Sequence, residues 1–116
     1  MSAENNMVLV FKTNGMGSSE TQPLKEKLAK TFLSLTAQMD PLPKALCFYT
    51  DGVKLACDES PVLEELHALE QSGVRIILCQ TCIDSYGLRD QVRVGIIGGM
   101  SDIITAIWQA DKVIMV

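Results

Sequence analysis

The chain has 116 residues, of which 47% are apolar, with four cysteines and a formal net charge of −4. That is the length of one domain with room for a core without disulfide staples, so residues 1–116 read as a single domain. No apolar run reaches the ~20 residues of a membrane span, the start Met1-Ser2-Ala3-Glu4-Asn5-Asn6 lacks a basic secretory region, and the acidic balance argues against nucleic acid or anionic lipid as the main partner; a cytoplasmic protein is expected.

In chain order, strands and helices alternate. Met7-Val8-Leu9-Val10-Phe11 is an apolar run of the kind buried on both faces of a parallel sheet. Asn14 to Ser19 is a loop: its glycines allow positive φ, and Ser18 or Ser19 can cap a helix. From about Thr21 to Met39 the apolar positions Leu24, Leu28, Phe32, Leu35 and Met39 recur every three or four residues and predict one buried helix stripe, with Pro23 in the first turn. Asp40-Pro41-Leu42-Pro43 ends it, because each proline disfavours the α region for the residue before it.

Ala45 to Tyr49 predicts the second strand, and Thr50 to Cys57 a loop. Ser60, Pro61 and Glu64 open a second helix whose face is Val62, Leu63, Leu66 and Leu69, closed by Gly73. Val74 to Leu78 predicts a third strand, followed by Cys79, a short helix to about Tyr86 and a turn at Gly87. Val92 to Ile97 suggests a fourth strand, Gly98 to Ser101 a cap, Asp102 to about Ala110 a last helix, and Lys112 to Val116 a final strand. Repeated β–α units cross over right-handedly, so the expected fold is a three-layer α/β/α domain with a parallel, mostly five-stranded sheet. In such a sheet the loops Asn14–Gly17, Thr50–Cys57, Cys79–Cys82 and Gly95–Met100 leave from one carboxyl edge, where ligands bind.

Cys79-Gln80-Thr81-Cys82 is the stretch that carries chemistry. A thiol at the start of a helix meets backbone N–H groups and the positive end of the dipole, which favour the reactive thiolate, and in a reducing compartment a CxxC pair suits metal, redox or transfer chemistry. Cys79 and Cys82 are therefore the catalytic candidates, with Cys79 expected to have a lowered pKa and Cys82, one turn on, placed to act as a resolving thiol. Lys54 is a candidate to stabilise a thiolate beside Cys57, and Gly15, Gly17 and Gly99 are candidates to present backbone groups to a substrate. Three other uses of the pair stay open: half of a zinc site completed by His67, the other cysteines or a second subunit; inert burial; and a thioredoxin-type redox pair. No cofactor or resident metal is expected. Cys47 belongs to the core by its strand position, His67 to the surface or to structure, and Ile103, Ile104, Ile107 and Trp108 make an unusually wide apolar helix surface, for which core packing is the default and a subunit interface the sharper alternative.

The segments Asn14-Gly15-Met16-Gly17, Asp40-Pro41-Leu42-Pro43-Lys44, Phe48-Tyr49-Thr50-Asp51-Gly52-Val53-Lys54-Leu55, Leu69-Glu70-Gln71-Ser72-Gly73-Val74, Cys79 to Leu88 and Ala110-Asp111-Lys112-Val113-Ile114 together resemble the DsrE-like family of small sulfur-handling proteins. More closely, they are similar to the carboxyl-terminal DsrE-like domain of the YedF group associated with selenium metabolism. The resemblance implies a five-stranded parallel sheet, a homo-oligomer (often a trimer or hexamer), partners such as TusA-like sulfur carriers, and a persulfide on a cysteine after the third strand, the position of Cys79. Cys82 is the extra cysteine of a CxxC subgroup. YedF proteins usually carry a TusA-like domain ahead of this one, which these 116 residues do not contain. The expected function is a sulfur-carrier or sulfur-transfer protein; the alternatives are an oligomeric interaction module without chemistry and a thiol redox protein.

Overall fold

The computed structural model describes residues 6–116. They form strands β1 (Met7–Phe11), β2 (Ala45–Phe48), β3 (Arg75–Cys79), β4 (Ile96–Gly98) and β5 (Lys112–Met115), and helices α1 (Gln22–Thr36), α2 (Leu63–Gln71), α3 (Gln80–Ser85) and α4 (Met100–Gln109). The strands make one parallel sheet in the order β4-β3-β2-β1-β5. From β1 to β4 the chain steps across the sheet in one direction, and right-handed crossovers place the intervening helices on one face. The return from β4 to β5 places α4 on the other.

Side-chain alternation along the strands agrees with this division. Phe11 meets the edge of Phe32 of α1, with ring centroids 6.3 Å apart, and stacks on Phe48 at 4.9 Å. Val8, Ala45 and Arg75, which are in register and point the opposite way, share a cleft with Ala106 and Gln109 of α4. Leu9, Leu46, Ile76, Ile77 and Leu78 are fully buried between the layers, each contributing about 1.5–3 kcal/mol of burial. Adjacent β3 and β4 send their chains to opposite faces, so the topological switch of the sheet falls beside Cys79, which pairs with Gly98.

Three local expectations are corrected. The stripe Leu24, Leu28, Leu35 and Met39 of the first helix faces solvent, from 44% exposed at Leu28 to 59% at Met39, and α1 rests on the sheet through Ala29, Leu33 and Thr36. Small residues let the helix approach the sheet closely, whereas the leucines are free to cover something else. Thr50–Ala56 is a 3-10 helix and not an open loop. The fourth strand begins at Ile96, because Gly95 takes φ +86° with its N–H on the Glu70 carboxylate, and Val92 bridges back to Cys57 instead. Gly73, at φ +100°, ends α2 as expected.

Candidate functional site

β3 ends in Cys79, still extended at φ −65° and ψ 118°, and α3 begins at the next residue. Cys79 lies on the same side of the strand as Arg75 and Ile77 and is 1% exposed. Its sulfur makes no capping hydrogen bond to α3. Cys82, one turn along, is partly exposed while still packed on the core. Burial, first, pushes the pKa of Cys82 up and the neighbouring Cys79 thiol adds to it, while the Thr50 N–H pulls the other way.

That N–H belongs to a residue in an uncommon conformation. Thr50 has φ +47°, a region that β-branched side chains rarely enter, and its N–H donates to the Cys82 Sγ at 3.1 Å. The Thr50 hydroxyl reaches the Lys12 carbonyl at 2.6 Å, fixing the turn against the end of β1. Two residues on, Gly52 lies so close to the Phe11 carbonyl that a Cβ there would stand 2.2 Å from its oxygen. Sheet edge, 3-10 helix and cysteine helix are thus locked together around Cys82.

A polar cluster joins the same elements further out. The Tyr86 hydroxyl donates to Asp51 Oδ1 at 2.7 Å, Lys54 Nζ lies 3.4 Å from the same carboxylate, and the ammonium sits 4.7 Å from the centre of the Tyr86 ring. The Tyr86 hydrogen bond, with help from Lys54, lowers the Asp51 pKa, and Asp51 raises that of Tyr86. Lys54 is thereby committed to Asp51 and Tyr86, and it also borders an open cleft of about 300 Å³ with Asn14, Cys57 and Leu88. Sequence reasoning singled out Lys54 but missed Thr50, Asp51 and Tyr86.

The remaining candidates separate. Cys57 is buried, donates to the Val53 carbonyl at 3.4 Å, and has its pKa raised by burial. Cys47 is wholly buried in β2 and pushed up to about 11, mainly by burial. Gly15 is buried against Lys25 with its N–H on the Thr13 carbonyl, and the exposed Gly17 forms a turn at φ +73°. Gly99 caps α4, and its N–H donates to the Asp102 carboxylate at 2.9 Å. At Gly15 and Gly99 the N–H is thus already engaged within the fold. His67 is exposed and lies 4.0 Å from Glu70. Among the described residues no three His, Cys, Asp or Glu side chains gather as a metal set, and no helix is long and apolar enough to cross a membrane.

No curated protein matches the sequence. Among solved structures, the chain is similar to the YchN protein of E. coli, with 24% identity, a TM-score of 0.67, and coverage of 97% of this chain and 99% of that one. It is also similar to the conserved protein BT1422 from Bacteroides thetaiotaomicron, at 15% identity and TM-score 0.66 over 100% of this chain and 98% of that one. Protein MTH1491 from Methanobacterium thermoautotrophicum gives 17% identity and TM-score 0.66, covering 96% and 98%. At these identities the likeness is one of fold. The profile of the DsrE/DsrF-like family matches residues 8–116, nearly the whole chain, and the chain belongs to that family.

Proposed function

We propose that this protein is a sulfur carrier that takes sulfane sulfur as a persulfide on the Cys79–Cys82 pair and passes it to an acceptor thiol. The observation that carries the reading is the pair itself. Two free thiols, three residues apart, stand at the carboxyl edge of a parallel sheet beside its topological switch, and Cys82 is partly exposed. Family membership supports the same chemistry, and small carriers of the TusA type are the partners that fit it. The likeness of the motifs to YedF extends the reading to selenium, since a perselenide forms by the same thiolate attack.

Assembly into a trimer or hexamer belongs to this proposal. Trp108 is 83% exposed, with Met100, Ile104, Val113 and Met115 also exposed on the α4 side of the sheet, while Leu24, Leu28 and Leu35 of α1 and Met39 just beyond it are exposed opposite. Two separate apolar faces are what a dihedral hexamer needs, one for a ring contact and one for the contact between rings.

The test is to incubate the purified protein with an inorganic polysulfide, remove the excess and weigh it intact, with a thiol-capped sample beside it. One added sulfur per chain that a dithiol reductant removes is expected. Mass unchanged in the uncapped protein leaves an oligomeric module of the same fold as the better reading.

A further inference from the structure

The sequence gives the receiving role to Cys79, the cysteine that ends the strand. The geometry points the other way: we infer that Cys82 is the thiol that receives sulfur from the donor and carries the persulfide, and that Cys79 is the buried resolving thiol behind it. This assignment rests on the sulfur-carrier reading and adds the order of its two cysteines.

Access is the first argument. A donor persulfide must bring its outer sulfur into line with the attacking sulfur, and Cys79, 1% exposed beneath the β3–α3 junction, offers no such approach while Cys82 does. The second argument is the aimed donor. Thr50 holds φ +47° although its side chain is β-branched, and such outliers persist where the surroundings over-determine them. Here the Thr50 hydroxyl on the Lys12 carbonyl and the close passage of Gly52 over Phe11 fix the turn, which sets the Thr50 N–H 3.1 Å from the Cys82 sulfur. A backbone donor at that position stabilises negative sulfur, whether thiolate or persulfide anion. Cys79, by contrast, has no capping bond to its sulfur. The third argument is the surround, since Tyr86, four residues after Cys82, is tied to Asp51 and Lys54 and so holds the end of α3 against the 3-10 helix that carries the Thr50 donor.

The steps balance without an external oxidant. The Cys82 thiolate attacks the outer sulfur of a donor R–S–SH; the new Cys82 S–S bond forms, the donor S–S bond breaks, and the donor leaves as R–S⁻, giving Cys82–S–SH. An acceptor thiolate then attacks the outer sulfur, takes it as its own persulfide and releases the Cys82 thiolate. In the side path the Cys79 thiolate attacks the inner sulfur on Cys82, expelling HS⁻ and leaving a Cys79–Cys82 disulfide. There the sulfane sulfur is reduced to sulfide, the pair is oxidised, and a dithiol reductant is required to restore it.

The experiment treats the parent, Cys79→Ser and Cys82→Ser with inorganic polysulfide, and follows added sulfur by intact mass and released sulfide by its methylene-blue colour. Cys79→Ser is expected to load and to keep its sulfur longer than the parent, without the sulfide released through the disulfide, whereas Cys82→Ser loses loading. Loading that survives in Cys82→Ser and disappears in Cys79→Ser overturns the order and leaves the carrier reading standing. A parent that takes up no sulfur overturns both. Should a substitution unfold the chain, brief alkylation of the native parent with peptide mapping decides: Cys82 capped ahead of Cys79 sustains the order, and Cys79 capped first overturns it.

Discussion

Gly52→Ala tests whether the wall of the thiol site is as tightly built as the distances state. The new methyl group would stand 2.2 Å from the Phe11 carbonyl oxygen and 2.8 Å from its carbon, so β1 and the 3-10 helix must part by about 1 Å to restore ordinary contact. The same Phe11 oxygen accepts the Tyr49 N–H at 3.1 Å, and parting the two segments loosens that bond as well. Overpacking costs about 1–3 kcal/mol, and the weakened backbone bond adds about 1 kcal/mol. The expected loss is about 2–4 kcal/mol, a fall of about 8–16 °C in Tm at roughly 4 °C per kcal/mol for a domain of this size. Thermal unfolding followed by circular dichroism at fixed protein concentration measures it. Gly73→Ala is the comparison: open space surrounds that position but φ is +100°, so it carries only a conformational cost of about 1–2 kcal/mol. Because Thr50 lies two residues before Gly52, Gly52→Ala should also change the alkylation rate of Cys82. A Gly52→Ala protein within about 0.5 kcal/mol of the parent refutes the claim that the turn is clamped.

Two further outcomes are expected. Burial raises the pKa of Cys82 from its ordinary 9.0, so its alkylation rate should climb with pH and reach half its maximum above pH 9.0; a midpoint below that value contradicts the site geometry. In the same pH series Cys47, held protonated to about 11, stays unlabelled, and stability falls as pH rises from 9.0 towards 11 because the unfolded chain releases that proton first. Trp108→Lys should leave the unfolding of the isolated domain within about 0.5 kcal/mol, as befits a surface position, yet reduce the assembled mass in light scattering at micromolar concentration. A parent of 12.7 kDa in solution removes the assembly from the proposal.

The central strands were legible because strands buried on both faces read as short apolar runs, and the exposed edge strand β5 was legible from its apolar residues alone. β1 matches its run residue for residue, and β2 and β5 each end one residue early. The helix stripe on α1 misled for a physical reason. Leucines that cover the core and leucines that stay exposed obey the same periodicity, and Ala29, Leu33 and Thr36 mark the true inner face. At the site, CxxC spacing singled out both thiols but carries no information on their burial, on which the proposed order rests. Thr50 and Tyr86 escaped because their contacts join segments 32 and 35 residues apart, and polar residues in a connecting stretch look the same whether they face water or aim at a sulfur.

The pairing of β5 with β1 bears on how the protein is made. β1 lies inside the sheet, but its two neighbours come from very different distances along the chain: Val8 pairs with Ala45 on one side and with Val113 on the other. Around that far edge Asn6 bonds Asp111 across 105 residues. Loop closure grows so slowly with length that the longer connection costs only about 1 kcal/mol more than the shorter one. The burden is one of time rather than stability. During synthesis one edge of β1, with the apolar Val8 to Phe11, stays unpaired until the segment beyond α4 has emerged from the ribosome, a bare strand edge of the sort that recruits chaperones or stray strands. Substitutions in Lys112–Met115 will accordingly register in the yield of soluble protein before they register in its melting temperature.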